Sequence, residues 1–219
     1  MGVVLLVRHG QASFGADDYD VLSDAGREQS EVSGRALAAQ GVAPTAIVHG
    51  AMRRQRDTAT AMVGASGWSV EPELDEGWNE FDHLAVVARS LEGRPVVDDR
   101  REFQRVFEEA TARWTGGEHD DDYAESWSAF VDRVDAAVDR LVARDGVAVA
   151  VSSGGPIAVA CARLVSPAAG PTELAALWHR FNTVTANASV TRVLVGSTGR
   201  RLLTFNEHSH LPRELVTYR

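Results

Sequence analysis

The chain has 219 residues, of which 22 are basic and 31 are acidic, so its formal net charge is −9. With 44% hydrophobic residues, it has the composition of a globular protein that folds without a disulfide or a structural metal. All of the basic residues are arginine, and the lack of lysine excludes Schiff-base chemistry, a lysine general base and a P-loop lysine. A net negative charge without a basic cluster argues against nucleic acid or an anionic membrane as the main partner.

The cysteine content and the hydropathy pattern indicate a compartment. The single cysteine, Cys161, excludes an internal disulfide and a multi-cysteine zinc site, and it suits a reducing cytoplasm. The first residues run into an apolar strand without the basic segment and cleavage site of a secretory signal. The longest uncharged stretch, 146–162, is interrupted by Ser152-Ser153-Gly154-Gly155-Pro156, whereas a spanning helix needs about 20 successive apolar residues. We therefore expect a cytoplasmic protein without a transmembrane segment.

Strands and helices alternate along much of the chain. The apolar, β-branched run Val3–Val7 predicts a buried parallel strand. A helix follows, which begins at the capping residue Ser23 and ends at Gly41. The same strand–helix pair recurs at 45–48 with 53–63 and at 147–151 with 156–164. This repetition predicts an α/β fold with a parallel sheet.

The remaining segments complete the predicted secondary structure. Two helical stretches are expected at 96–113 and 126–144, and the aromatic stripe of the second is typical of core packing. Strands at 188–195 and 201–205 are joined by Gly196-Ser197-Thr198-Gly199, which predicts a hairpin. The acidic, glycine-led segment 115–122 predicts a solvated, mobile loop. Without a repeat or a low-complexity linker, we expect one domain over residues 1–219 with a helical insertion around 84–125.

The residues that follow the predicted strands suggest an anion site. In open α/β sheets, ligands bind beyond the carboxyl ends of the strands. These ends carry Arg8-His9-Gly10-Gln11, His49-Gly50-Ala51-Met52-Arg53-Arg54 and Ser152-Ser153-Gly154-Gly155. Arginine side chains and the amides of a helix N-terminus are independent ways to bind an anion, so we expect a phosphate site at this edge.

Several motifs in chain order carry a resemblance to a known family. Leu6-Val7-Arg8-His9-Gly10-Gln11 resembles the Arg-His-Gly signature of the histidine phosphatase superfamily, which includes the phosphoglycerate mutases. Further matches follow across about 200 residues: Leu22-Ser23-Asp24-Ala25-Gly26, Arg53-Arg54-Gln55-Arg56-Asp57-Thr58-Ala59, Ala124-Glu125-Ser126, Asn187-Ala188-Ser189-Val190 and Asn206-Glu207-His208-Ser209-His210-Leu211. The resemblance implies a phosphoglycerate mutase-like, three-layer α/β/α sandwich around a mostly parallel sheet.

The resemblance also implies roles for individual residues. His9 would attack the phosphorus atom and form a phosphohistidine, while Arg8 and Arg54 would bind the phosphoryl oxygens and Gln11 would add a neutral hydrogen bond. The resemblance implies that the general acid is a glutamate. Glu80 matches the family segment better, and Glu76 is the reserve.

The sequence departs from the family pattern at the strand 147–151. Where the family has Ser-His-Gly-Gly, this chain has Ser152-Ser153-Gly154-Gly155, so the resemblance implies that Ser153 replaces a second histidine and that Ser153 and Gly154 contact the phosphate. Gly50 stands where the family usually has a serine. Four histidines are candidates to occupy the space left at Ser153: His49, His83, His208 and His210. His208 and His210 lack a third ligand at a sensible spacing, so we expect no metal and no cofactor.

The resemblance favours a phosphomonoester hydrolase that acts on a small phosphorylated metabolite, and the Ser153 change suggests a slow enzyme. One alternative is a mutase, which needs additional cationic contacts; the candidates are Arg94, Arg100, Arg101 and Arg105. The acidic segment beside them would repel a multiply charged substrate. A second alternative is a catalytically impaired protein that binds a phosphorylated ligand or a protein partner. The oligomeric state is not predicted.

Overall fold

A computed structural model describes residues 2–13, 20–91 and 100–218 of the chain. The elements in chain order are β1 (Gly2–Arg8), α1 (Asp24–Ala39), β2 (Ala46–His49), α2 (Arg53–Ser66), β3 (Glu73–Leu74), α3 (His83–Ser90), α4 (Arg100–Gly116), α5 (Trp127–Val142), β4 (Val147–Ser152), α6 (Gly154–Val165), α7 (Pro171–Val184), β5 (Val190–Gly196) and β6 (Gly199–Glu207). Short 3₁₀ turns lie at 76–78, 120–122 and 213–215. No helix among these residues is both long and apolar enough to cross a membrane.

The six described strands form one mixed sheet in the order β3-β2-β4-β1-β5-β6. The first four strands of the chain are parallel to one another, whereas β5 runs antiparallel to β1. A two-residue turn between Gly196 and Gly199 makes β5 and β6 an antiparallel hairpin, as predicted. The carboxyl ends of β1, β2 and β4 therefore meet at one edge of the sheet.

Helices cover both faces of the sheet because the strand residues point alternately to opposite sides. Leu5, Ile47 and Val149 pack on one face against α1 and α2. Leu6 and Val48 pack on the other face against α5 and α6. This arrangement confirms the predicted α/β sandwich around a mostly parallel sheet.

The helix ends follow from local sequence. The Ser23 hydroxyl accepts a hydrogen bond from the Gly26 amide at 3.0 Å and caps α1. The Ser126 hydroxyl caps α5 by accepting from the Ala129 amide at 3.1 Å. These caps fix where the two helices begin.

A third group of buried side chains lies where α3, α4 and α7 pack with α5 and α6 around buried aromatic rings. Helix α7 is absent from the sequence-based prediction. Of the helix predicted over 96–113, residues 96–99 lie outside the described part of the chain, and α4 is described from Arg100.

The acidic segment runs from the end of α4 to a short 3₁₀ turn at 120–122. Asp122 accepts hydrogen bonds from Arg89, at 2.8 Å, and from Arg113. The bonds from Arg113 and Arg89 lower the pKa of Asp122 to about 2. The last residue of the segment is therefore tied to α3 and α4 by ion pairs, and residues 116–119 are exposed.

Candidate active site

His9 follows β1 and is held by both neighbouring strands. Its amide donates to the Ser152 carbonyl at 2.8 Å, at the end of β4. Its carbonyl accepts from the Ala188 amide at 3.2 Å and from the Asn187 side-chain amide at 3.3 Å, just before β5. Ala188 has a φ of 54°, a strained conformation for a residue with a β-carbon. The backbone of His9 is therefore fixed from two sides.

Two hydrogen bonds define the protonation of the His9 ring. Nδ1 lies 2.7 Å from the Gly10 carbonyl oxygen, which can only accept, so Nδ1 carries the proton. The Arg54 Nε–H group donates to Nε2 at 3.2 Å, so Nε2 must offer a lone pair. Both partners thus select the neutral tautomer whose Nε2 atom is nucleophilic.

The surroundings of His9 also disfavour its charged form. Burial lowers the pKa of His9 well below its usual value, and the positive charges of Arg54 and Arg8 lower it further. Only 5% of His9 is exposed, so water cannot solvate an imidazolium well. The imidazole is consequently neutral at neutral pH.

Arg54 lies in the first turn of α2 and faces His9. Besides His9, it contacts Asp20, whose carboxylate accepts from Arg54 Nη1 at 2.7 Å and from the Arg53 amide at 2.8 Å. Asp20 was not identified from the sequence, since no motif surrounds it. Its carboxylate orients the guanidinium and starts α2 with a favourable negative charge.

Arg8 contributes its charge to the same site from the end of β1. Its Nη1 atom donates to the Thr185 carbonyl and, at 3.1 Å, to the Tyr218 carbonyl. The charge of Arg8 lowers the pKa of both His9 and Glu80. Arg8 thus makes the site positive while its guanidinium is anchored to the C-terminal part of the chain.

Glu80 is the carboxyl group that the structure places beside these cations. Its Oε2 atom accepts from the Gly155 amide at 3.1 Å, and Oε1 accepts from the Phe81 amide at 3.2 Å. Burial raises the pKa of Glu80, although the Gly155 hydrogen bond and the charge of Arg54 oppose this effect. Glu76, the reserve candidate, is exposed at the start of the 3₁₀ turn. The geometry therefore favours Glu80.

Aromatic packing holds Glu80 in place. The next residue, Phe81, stacks on Trp114 with ring centroids 4.7 Å apart and meets Trp178 edge-on at 5.7 Å. The Trp178 indole N–H donates to the Gly155 carbonyl at 3.1 Å. The aromatic cluster thus fixes both the carboxyl group and the glycine whose amide binds it.

Ser153 follows β4 and is almost fully buried, with 1% of its surface exposed. Its hydroxyl oxygen accepts from the Gln55 Nε2 atom at 2.8 Å. Gln55 comes directly after Arg54 on α2 and was not identified from the sequence. The side chain that donates a hydrogen bond to Ser153 in the described structure is therefore a glutamine.

A family model decides the relationship: the histidine phosphatase superfamily (branch 1) matches residues 4–208. The chain belongs to this superfamily. The comparison with curated proteins finds no match.

Solved structures of superfamily-like proteins share the fold. A mutant of phosphoserine phosphatase from Entamoeba histolytica, in complex with phosphoserine, is 19% identical, with a TM-score of 0.67 over 97% of this chain and 100% of that chain. Phosphoglycerate mutase from Bacillus anthracis is 18% identical, with a TM-score of 0.68 over 95% and 94%. A mycobacterial glucosyl-3-phosphoglycerate phosphatase is 22% identical, with a TM-score of 0.66 over 95% and 100%. These TM-scores establish a common fold.

Two other predicted phosphate ligands of this superfamily member have structural contacts of their own. The Gln11 side-chain oxygen accepts from the Ser23 hydroxyl at 2.9 Å, which ties it to the start of α1. A β-carbon on Gly154 would lie 2.5 Å from the Asn182 side-chain oxygen, so α7 packs closely on this glycine. The neighbouring Gly155 amide donates to Glu80, so that amide binds a carboxylate before any phosphate arrives.

The candidate histidines lie in different environments. His83 is partly buried, and burial followed by the charge of Arg54 lowers its pKa. His49 Nδ1 lies 2.7 Å from the Gly50 carbonyl oxygen. His208 Nδ1 lies 2.7 Å from the Asn206 carbonyl, and His210 Nε2 lies 2.9 Å from the Ser33 hydroxyl. No group of three possible metal ligands occurs in the parts of the chain that are described.

Proposed function

We propose that this member of the superfamily is a phosphomonoester hydrolase that forms a phosphohistidine at His9 and acts on a small phosphorylated metabolite. The observation that carries the proposal is the neutral His9 ring, whose Nε2 atom receives the Arg54 Nε–H bond at 3.2 Å. A nucleophile that already touches a cation lies where a phosphoryl group can be bound and attacked.

The first step forms the covalent intermediate. The phosphoryl group replaces Nε2 as the acceptor of the Arg54 bond, and the freed lone pair attacks phosphorus. The ester P–O bond breaks as the Nε2–P bond forms, and its electron pair leaves on the alcohol oxygen. Glu80, whose pKa is raised by burial, supplies the proton for that oxygen.

The second step releases phosphate. Water attacks the phosphohistidine while the ionised Glu80 accepts its proton, so the carboxyl group is ready for the next cycle. The P–N bond breaks, and its electrons return to Nε2 of His9. Arg54 and Arg8 stabilise the negative charge of the phosphoryl oxygens in both steps.

The comparisons support a small phosphorylated substrate. Two of the three structural neighbours described above are named as phosphatases, and one of these was solved with phosphoserine. The mutase alternative depends on cations in the helical insertion. Of these, Arg94 lies outside the described residues, as do the side chains of Arg100 and Arg101. Arg105 is paired with Glu102 and Glu109, which neutralise it. The one of these cations whose side chain is described is thus neutralised, which supports hydrolysis over a mutase reaction.

The test combines turnover with detection of the intermediate. Phosphate release is measured over a panel of phosphorylated metabolites, and the protein is then quenched in base and examined by mass spectrometry for an acid-labile phosphoryl group on His9. We expect release and the adduct in the wild type and neither in His9→Ala. His179→Ala is the matched control, because His179 is exposed on α7 and should retain full activity.

Three results would contradict the proposal. Full turnover in His9→Ala would exclude the phosphohistidine. Transfer of the phosphoryl group to a second substrate position, with little free phosphate, would establish a mutase. Tight binding of orthovanadate without turnover of any panel member would establish a binding protein.

A further inference from the structure

We propose that Gln55 is a positioning residue that aims the Ser153 hydroxyl at the phosphoryl group. We further propose that glycine at position 50 leaves the space that the Gln55 side chain occupies. The inference rests on the proposed function, because the phosphoryl group is the acceptor that it assigns to Ser153. The Gln55–Ser153 pair then takes the place that the resemblance assigns to a second histidine.

Ser153 lies beside the nucleophile. It follows the residue of β4 that pairs with Arg8 in the sheet, and His9 donates its amide to the carbonyl of that same residue, Ser152, at 2.8 Å. Gln55 follows Arg54 on α2, and Arg54 contacts the His9 ring. Two adjacent residues of one helix therefore contact His9 and Ser153, which follow the neighbouring strands β1 and β4.

The hydroxyl of Ser153 is not used to cap α6, although Ser153 occupies the N-cap position. A capping serine accepts from the amide two or three residues later. Here the Gly155 amide is bound by Glu80, and Pro156 has no N–H group. The local sequence thus removes the structural role of the serine and leaves its hydroxyl for another partner.

The orientation of the Gln55 amide determines the direction of the hydrogen bond. Its Nε2 atom lies 2.8 Å from Ser153 Oγ and 3.2 Å from the Trp78 carbonyl oxygen. A carbonyl oxygen can only accept, so the amide atom between these two groups is the nitrogen. Gln55 therefore donates to Ser153, and the serine proton points elsewhere. No acceptor in the described parts of the chain takes that proton.

Gly50 is required by the Gln55 side chain. A β-carbon at Gly50 would lie 2.1 Å from Gln55 Oε1, 2.8 Å from Asn79 Oδ1 and 2.9 Å from the Trp78 carbonyl oxygen, so Gln55 makes the closest approach. The Gln55 Oε1 atom is buried without a hydrogen-bond partner in the described structure. The amide is therefore fixed by the hydrogen bonds of its nitrogen, while its oxygen occupies the space beside Gly50. A larger residue at position 50 would displace the amide that orients Ser153.

The arrangement also opposes a histidine at position 153. An imidazole extends well beyond the position of the serine oxygen, and the Gln55 nitrogen is only 2.8 Å from that oxygen. A histidine in the same side-chain rotamer would overlap the Gln55 amide. Gln55 must therefore be shortened before an imidazole can enter.

The test uses binding of orthovanadate, measured by calorimetry, together with kcat/KM for one phosphomonoester. Ser153→Ala should weaken vanadate binding and lower kcat/KM about ten- to a hundredfold, because a buried donor to the phosphoryl group is lost. Gln55→Glu has nearly the same shape but cannot donate, so the Ser153 hydroxyl should turn to donate to the carboxylate. We expect a loss as large as that of Ser153→Ala. Gln104→Glu makes the same chemical change on the exposed side of α4 and is the control.

Coupling between the two positions separates positioning from a general structural role. Once Ser153 is alanine, Gln55→Ala should change vanadate affinity less than about twofold, whereas in the wild type it should cost about tenfold. Ser153→His should lower activity, and combining it with Gln55→Ala should raise activity at least tenfold above that single variant. Gly50→Ala should reproduce the loss of Gln55→Ala. Thermal melting identifies any variant that does not fold.

Other results would overturn the inference. Wild-type vanadate affinity and kcat/KM in Ser153→Ala would remove the serine from the site. Additive effects of Gln55→Ala and Ser153→Ala would mean that the glutamine does not act through the serine. If the proposed hydrolysis fails instead, no panel substrate is turned over, while the predicted pattern of vanadate affinities still holds.

Discussion

The contact between Gly155 and Glu80 allows a sharp test of the general acid. A β-carbon at Gly155 would lie 2.0 Å from Glu80 Oε1 and 3.0 Å from its carboxyl carbon. Ordinary van der Waals contact begins at about 3.4 Å, so Gly155→Ala requires the carboxylate to move by about 1.4 Å. Phe81 is packed in the aromatic cluster and resists a shift of the backbone. The Glu80 side chain must therefore rotate away and lose its Gly155 hydrogen bond.

The size of the effect should depend on the leaving group. General acid catalysis contributes typically 10²–10⁴-fold, so Gly155→Ala should lower kcat/KM about 10²- to 10³-fold for an alkyl phosphate such as phosphoserine. Nitrophenolate leaves without needing a proton, so the loss for 4-nitrophenyl phosphate should stay within about fivefold. Displacement of the carboxyl group should therefore lower kcat/KM much more for the alkyl phosphate than for 4-nitrophenyl phosphate, whereas a general defect would lower both equally.

The assay compares kcat/KM for both phosphates in the wild type, Gly155→Ala and Glu80→Gln. The two variants should show the same dependence on the leaving group. Gly64→Ala is the matched control, since a β-carbon there meets nothing within 4 Å. Equal losses for the two substrates, or no loss for the alkyl phosphate, would refute the assignment of Glu80.

Three further predictions follow from other contacts. Arg54→Ala should lower kcat/KM about 10²- to 10³-fold. Because Arg54 lowers the pKa of both His9 and Glu80, both limbs of the pH profile should move to higher pH relative to the wild type with the same substrate. Gly64→Ala in α2 should raise the free energy of unfolding in urea by about 0.5–1 kcal/mol, since the space is open and alanine favours the helix. Arg133→Leu removes donors to three backbone carbonyls at 76–79, so urea unfolding should show a loss of about 1–3 kcal/mol.

The strands that could be predicted are those buried on both faces. β1 and β4 are continuous apolar runs because helices cover both sides of the sheet. β3 has only two residues, Glu73 and Leu74, and both are exposed at the sheet edge. Such a strand has no apolar pattern to detect, and its pairing with β2 becomes visible only in three dimensions.

Helix α7 shows a different limit. Its sequence carries ordinary helix signals, with Pro171 in the first turn, Glu173 beside it and the buried pair Leu174 and Trp178 four residues apart. These signals indicate a helix, but the strand–helix alternation that predicts the sheet does not extend to it. The consequence is that the sequence analysis missed the Trp178 hydrogen bond to Gly155, which helps to hold the candidate acid.

The site residues that sequence motifs identify are those that stand directly at strand or helix ends. His9 follows β1 and Arg54 lies in the first turn of α2, so the parallel sheet alone brings them to one edge. Gln55 differs because successive helix residues point about 100° apart. Arg54 faces His9 while Gln55 faces Ser153, and only the hydrogen bond from α2 to the residue that precedes α6 shows that both side chains serve one site.

The departures that the resemblance implies at positions 50 and 153 meet at one side chain, although they are 103 positions apart along the chain. The amide of Gln55 contacts Ser153 through its nitrogen and occupies the space above Gly50 through its oxygen. Gln55 is compatible only with glycine at position 50 and with a small residue at position 153, because a β-carbon at 50 or an imidazole at 153 would meet its amide. A single change toward the family pattern should thus reduce activity at either position, and the gain should require removal of Gln55 first.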